Sequence, residues 1–293
     1  MNTTTLNQIA QLEKTRREIL NRADLIPPLP DLVVRLLSLL NRPETEPRHL
    51  EQTMRSDQVL VGKMLAMANS PFYGLNRTIR TISDAVMVLG FRGVRSIVLA
   101  SSTAKFLQRD YTCYGHDQKG LWMHSACVAA GARFLARTCR LSAETSERMF
   151  IAGLLHDIGK MLLVSYVADG QKLRPQNAPT MVELERRITG LDHTEAGALV
   201  LAKWNLGADL QEIVKAHHGD SYPDSPEETA IVRIADATAR ERGYGYLPKR
   251  APALPVLPED LDAAGLARDW EQTRGELIVT MEEALNSLAA LSS

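Results

Sequence analysis

Apolar residues along this chain recur at intervals of three and four, the period of an amphipathic helix, and strict alternation is almost absent. Residues 6–20 form a charged amphipathic stretch. Ile26-Pro27-Pro28-Leu29-Pro30 then breaks the chain, because proline lacks an amide donor and fixes φ. Asp31 is expected to cap the next helix, which carries Leu32, Val33, Leu36, Leu37 and Leu40 at helical spacing. Pro47 suits the first turn of a short helix running to about Met54. Asp57 is placed to cap a helix with Val59, Leu60, Met64 and Met67 on one side, stopping near Asn69-Ser70-Pro71. There the Asn and Ser side chains serve free backbone groups before a proline that cannot continue the helix. Ser83 is read as opening a further helix that Gly90 closes, and Phe91 to Leu107 carries on at helical intervals.

A looser polar segment, Arg109 to Lys119, separates this first bundle from a second. Gly120 to Thr138 is Ala-rich and helical, Ser142 caps a long helix, and Thr180 with Glu183 fits a reciprocal capping box. Helices follow at about 194–204, 208–217 and 227–242. Four prolines between Leu247 and Pro258 exclude helix, and a last helix runs from about Glu259 to Leu288. The prediction is an all-α protein of two packed helical subdomains meeting near residue 115. The expected divisions are an N-terminal helix (1–25), a first subdomain (26–115), a second (116–245), a Pro-rich connector (246–258) and a C-terminal helix (259–293).

The chain has 293 residues, enough to bury a core without disulfide or metal staples. With 45% hydrophobic and 24% charged residues it has the composition of a folded globular protein. Lys and Arg number 34 against 35 for Asp and Glu, a balance that argues against nucleic-acid binding by phosphate neutralisation. Arg77, Arg80, Arg92 and Arg95 are accordingly read as a solvated face. The longest stretches without Asp, Glu, Lys or Arg span 13 residues, short of the ~20 a bilayer helix needs, so no membrane association is expected. The N-terminus lacks the apolar core of a secretory signal. Cys113, Cys127 and Cys139 are odd in number and without C-x-x-C spacing, the pattern of reduced thiols in a cytoplasmic protein.

The histidines fall at chemically distinctive places. His124 lies on an otherwise apolar helix, His156 and Asp157 are adjacent in Gly-Leu-Leu-His-Asp-Ile-Gly-Lys, and His193 opens a helix. His217 and His218 end a helix, and Asp236 is the acid on the apolar side of the next. Each alone reads equally as a core residue bonded to a carbonyl, a cap partner or a group facing a helix dipole. Together, imidazole and carboxylate form a donor set for Zn, Mn, Fe or Ni. Asp157 has two oxygens with which to bridge two ions about 4 Å apart, an arrangement that activates water against a phosphoester. Lys160, one turn from His156 at i, i+4, is expected to act as an electrostatic partner for phosphate. Trp122 and Trp204 are read as core packing beside the cluster.

The order His124, His156-Asp157, His193, His217-His218, Asp236 resembles the HD superfamily of metal-dependent phosphohydrolases. The resemblance to its HDOD branch, HD-related output domains, is closer. It rests on Ile26–Pro30, the Asp57 to Tyr73 segment, Thr78 to Gly90, Ala152 to Lys160, His193 to Trp204, and Ala216-His217-His218. It covers about residues 20–240 and implies that the second subdomain is an HD-like helical bundle. HDOD domains are signalling or output modules, and many have lost the metal ligands of true HD hydrolases, whereas here every ligand-type position is filled. The chain departs from the HD-GYP cyclic-di-GMP phosphodiesterases: Gly219 follows the double histidine where those carry Glu, and only Tyr222-Pro223 survives of Gly-Tyr-Pro.

The resemblance implies metal ligation by His124, His156, Asp157, His193, His217, His218 and Asp236, with one or two divalent ions (Fe, Mn, Zn or Ni). It implies a regulatory module acting on a protein partner. The alternative is a phosphohydrolase of a nucleotide or cyclic dinucleotide, in which Asp157 and Lys160 would be catalytic.

Overall fold

The computed structural model describes residues 3–22, 26–55, 57–70, 78–172, 180–219, 226–248 and 255–291. Among these, extended pairing is confined to an isolated bridge between Tyr111 and His116, and the fold is all-α. Helices α1 (Thr3–Arg22), α2 (Asp31–Leu40), α3 (Pro47–Met54), α4 (Gln58–Ala68) and α5 (Ile82–Leu107) come first. Then follow α6 (Gly120–Thr138), α7 (Ala143–Leu155), α8 (Lys160–Lys172), α9 (Met181–Thr189), α10 (His193–Lys203), α11 (Ala208–Ala216), α12 (Pro226–Glu241), α13 (Pro258–Ala263) and α14 (Trp270–Leu291).

In the first half, α2, α3 and α4 pack around α5; in the second, α7, α12 and α14 pack around α6. A single buried apolar cluster runs through both, from Leu36 and Val98 to Leu135, Val214 and Ile231. Trp204 ties the two halves: its ring lies 5.3 Å from Phe106 and its indole N–H donates to the Pro27 carbonyl at 3.0 Å. Among the described residues, α6 and α7 make the most extensive helix–helix contact. Small residues permit it, namely Ala126, Ala129 and Ala132 on α6 and Gly153 on α7. A Cβ on Gly153 would lie 2.8 Å from the Val128 carbonyl oxygen and 2.9 Å from the Ala129 Cα.

Several local expectations are corrected. Asp31 is the first helical residue, behind Pro30 at the cap position, and makes no capping bond. Thr81, not Ser83, caps α5: its hydroxyl accepts from the Asp84 amide at 3.0 Å, and Asp84 accepts from the Thr81 amide at 3.1 Å. Ser83 instead donates to Glu51 of α3 at 2.6 Å. The expectation at Gly90 holds: at φ +70°, ψ 172° it is non-helical and divides α5 into two helical pieces. The 109–119 segment is anchored, with Tyr111 buried and donating to the Phe106 carbonyl at 2.7 Å. Thr180 accepts from the Glu183 amide, but the Glu183 carboxylate turns to Arg187.

The single C-terminal helix expected over 259–293 is two. Gly265 at φ +69° ends α13, and Leu266 bonds back to the Leu261 carbonyl at 2.8 Å. The second piece, α14, buries Leu277 and Met281 against α6. Asn69 does serve free backbone groups, bonding the Leu65 carbonyl and both the amide and the carbonyl of Ile79. The Pro71-Phe72-Tyr73 part of that motif, Tyr222-Pro223 and positions 249–254 of the connector lie outside the described residues. The stretch Ala143–Gly170 is long and apolar enough to cross a bilayer, but 72% of its apolar window is buried within the bundle, as in a core segment.

Candidate metal centre

The seven predicted ligand-type residues come together from five helices and the turns that end them. His124 is on α6, and Asp236 on α12. His156 and Asp157 sit in the turn between α7 and α8, because the helix begun at Ser142 stops at Leu155 and restarts at Lys160. His193 opens α10, where Asp192 caps by accepting from the Thr194 and Glu195 amides at 2.8 and 3.1 Å. His217 occupies the C-cap of α11, with His218 after it. Gly159 lets the start of α8 lie against the α10 backbone: a Cβ there would be 2.9 Å from the His193 carbonyl carbon. That approach sets Asp157 Oδ1 3.3 Å from His193 Nε2.

Asp157 stands in the middle. Its Oδ2 is 3.3 Å from His156 Nε2 and 3.8 Å from His124 Nε2, while its Oδ1 faces His193. Asp236 Oδ1 lies 3.0 Å from His124 Nε2 and 3.6 Å from His156 Nε2. The ligand-type atoms form two adjoining groups, His124/His156/Asp157 and His193/His217/His218, each within 4.8 Å. All these side chains are buried except His218, whose side chain is 13% exposed.

The residues fit a metal by their hydrogen bonding. His156 Nδ1 donates to the Gly153 carbonyl at 2.7 Å, and His217 Nδ1 to the Val214 carbonyl at 2.6 Å. His193 Nδ1 donates to the Glu185 carboxylate at 2.6 Å. With Nδ1 committed as donor, each ring turns its Nε2 inward, and displacing the proton that Asp157 and Asp236 hold on His156 would free that nitrogen's lone pair for an ion, the outer-shell arrangement of metal-bound histidine. The Nε2 atoms of His156, His193 and His217 and the Oδ1 of Asp157 are buried without a hydrogen-bond partner. An unpaired buried polar atom costs roughly 1–3 kcal/mol, so unpaired ligand-type atoms in both groups favour a bound cation.

The electrostatics follow from two buried cations. Lys160 Nζ donates to Asp157 Oδ2 at 2.6 Å, and Arg240 Nε to Asp236 Oδ1 at 2.7 Å. Burial works against charge on both aspartates, but Lys160 and Arg240 respectively, with His156, hold the carboxyls well below the usual range. Burial also opposes charge on His156, yet Asp157 and Asp236 outweigh it and raise that imidazole to about 9. Burial keeps His217 and His218 well below their ordinary value.

Lys160 thus does not stand free toward a phosphate. It is 3% exposed, bonded to Asp157 at i, i+3, with the Tyr114 ring 5.2 Å from its ammonium. Glu185, Arg240, His116 and Tyr246 also belong to the centre, beyond the residues the sequence pattern singles out. Arg240 follows Asp236 at i+4 and was legible as a second charge on the same helix face. Glu185 sits on α9, eight residues before His193, and no spacing rule connects them. His116 and Tyr246 close one side, their rings 4.2 Å apart and Tyr246 5.2 Å from His124. Tyr246 reaches there because Gly245, at φ +78°, passes so near α6 that a Cβ would lie 2.6 Å from the His124 amide nitrogen.

A model of the HDOD domain family matches residues 26–219. The chain belongs to the HDOD family. An uncharacterised protein of Treponema pallidum is 26% identical to this HDOD chain over 252 residues, covering 82% of the chain and 48% of that protein. Ribonuclease Y of Fervidobacterium nodosum is 28% identical over 203 residues, covering 69% of the chain and 33% of the enzyme. The HDOD chain therefore spans half or less of these curated relatives. Among solved structures, an HDOD domain protein of unknown function from Geobacter sulfurreducens superposes with a TM-score of 0.68 at 23% identity, covering 94% of this chain and 99% of that one. An inferred phosphohydrolase from Shewanella amazonensis gives 0.72 at 23% identity, covering 92% and 97%. At that identity both show the fold.

Proposed function

We propose that this HDOD chain is a regulatory module of bacterial signal transduction, acting through a protein partner, whose HD-type centre holds a divalent metal as a structural or sensing element. The supporting observation is that the ligand set is filled while its two carboxylates already carry buried cation partners, Lys160 at 2.6 Å and Arg240 at 2.7 Å. The ammonium that a phosphate would need is engaged with a ligand carboxylate in the interior. His124, His156 and Asp157 on one side and His193, His217 and His218 on the other would hold the metal, with Asp236 beside them. A bound divalent ion would supply Lewis acidity and a fixed positive charge. Glu185, Gly153 and Val214 orient the imidazoles through Nδ1.

The second reading, a metal-dependent phosphohydrolase of a nucleotide or cyclic dinucleotide, draws on the complete ligand set and on the similarity to ribonuclease Y. One experiment separates them. Metal content is measured on the purified protein, and cyclic and linear nucleotides are then assayed with Mn(II) or Fe(II) added. Metal without turnover supports the regulatory module. Turnover that disappears in Asp157→Ala, with the helical spectrum intact, would replace it by the hydrolase.

A further inference from the structure

A groove of about 750 Å³ opens between the two halves of the molecule. Its walls are the end of α2 with the loop after it, the middle of α5, the end of α6 and the start of α7. Gly90 shapes it. Its non-helical φ and ψ break α5, so Phe91 and Arg92 begin the second piece on the groove wall, at that piece's positive dipole end. Among the described residues that line the groove, none belongs to the metal centre. His124 stands in the second turn of α6 and Arg137 in its last, which puts the groove about 20 Å from the centre along that helix.

Arg42, Arg92 and Arg137 line the groove against one carboxylate, Glu147, a local basic excess in a chain whose charges balance at 34 to 35. Glu147 is engaged inward: it accepts from Ser96 at 2.7 Å and lies 3.5 Å from the guanidinium of buried Arg133. Arg42 is exposed and makes no ion pair among the described residues. Arg95 steadies the α2 end beside it, its Nη1 donating to Asn41 at 3.1 Å. Arg92 pairs with Glu144 at 2.8 Å, but these side chains are 60% and 61% exposed, and an ion pair in water is weak enough to yield to a better anion. Leu89, Phe91 and Leu141 are half-buried on the same walls, and the Phe91 ring has no ring partner among the described residues. Guanidinium forks match phosphate oxygens, and an unpartnered aromatic face takes a planar base by stacking. We infer that the groove is a second ligand site, for a small phosphorylated molecule with a planar ring, the nucleotide class. Its phosphates lie on Arg42 and Arg92, with Arg137 beside them, and its ring on Phe91.

The site does not depend on the metal reading, and its test stands whether or not metal is found. Titration calorimetry on the purified full chain uses ATP, GTP, AMP and inorganic pyrophosphate as probes. At least one nucleotide should bind, and more tightly than pyrophosphate. Arg42→Gln and Arg92→Gln should each weaken nucleotide and pyrophosphate about tenfold, the loss of one charge-assisted contact. Phe91→Leu should weaken the nucleotide about tenfold and leave pyrophosphate within about twofold. Arg274→Gln, at an arginine outside the groove that pairs with Glu241, should leave both within about twofold. Four results would each overturn the site: no binding of any probe at millimolar concentration, equal loss in Arg274→Gln, pyrophosphate binding as tightly as every nucleotide, or loss in His193→Gln with retention in Arg42→Gln. The last would put the ligand on the metal centre instead. Arg42 and Arg92 are exposed, so their variants decide the matter even if Phe91→Leu does not fold.

Discussion

Replacing Gly153 by alanine tests whether the centre depends on the closeness of two helix backbones. The added Cβ would meet three backbone atoms of α6 at once: Val128 O at 2.8 Å and the Ala129 Cα and N at 2.9 Å. None can rotate away, and ordinary contact begins near 3.4 Å, so α7 must move off α6 by roughly half an ångström. Overpacking of this kind costs about 1–3 kcal/mol, and the rigid partners place it at the upper end, about 3 kcal/mol. At about 2 °C per kcal/mol for a chain of this size, the melting temperature should fall by about 6 °C. The Gly153 carbonyl also accepts the His156 Nδ1 proton, so metal affinity should fall along with stability. Gly275→Ala is the control. It sits exposed in α14 with nothing within 4 Å of a new Cβ, and should stabilise by about 0.5–1 kcal/mol because glycine is a poor helix former. Thermal denaturation followed by circular dichroism reads both. A Gly153→Ala protein melting within 1 °C of the unaltered chain would refute the argument that this backbone approach positions the centre.

Glu185→Gln removes the charge behind His193 but keeps an acceptor for its Nδ1–H, so metal affinity by calorimetry should drop about 10- to 100-fold with the helical spectrum unchanged. His116 is buried against Lys160, His124 and Asp157, and its burial depresses the imidazole to about 2. Because the folded value lies below the unfolded one, its contribution is complete above pH ~6.5 and is lost as pH falls toward 2. Stability of the metal-free protein, from denaturant titrations at pH 4–6, should therefore fall less steeply in His116→Gln, by about 1.4 kcal/mol per pH unit. Asn69→Ala strips three backbone bonds at the end of α4 and should cost about 2 kcal/mol, read as a lower urea midpoint at constant slope.

Much of the helical framework was legible because its signals are local. Amphipathic spacing located α2 and α11, Ala-rich composition located α6, and Asp57 and Ser142 cap as their side-chain chemistry dictates. Errors arose where two local signals competed. Thr81 won the α5 cap because Ser83 found Glu51 on another helix, and Gly265 broke the last helix within a run that otherwise looked continuous. The ligand-type residues themselves could be named from residue type and order.

What one dimension could not contain was which of their atoms remain unpaired. His124 and His156 are equally histidine and equally buried, yet one Nε2 is bonded to Asp236 and the other has no hydrogen-bond partner. Lys160, suited by spacing to a phosphate, is drawn instead to a carboxylate three residues before it, since a buried ammonium must find its counter-charge inside. Residue order thus determined the helices and the chemical types available to the centre. Only the tertiary packing of α6, α7, α10, α11 and α12 decided which donors meet and which are already satisfied, because hydrogen bonds between helices depend on ångström-scale approach rather than on separation along the chain.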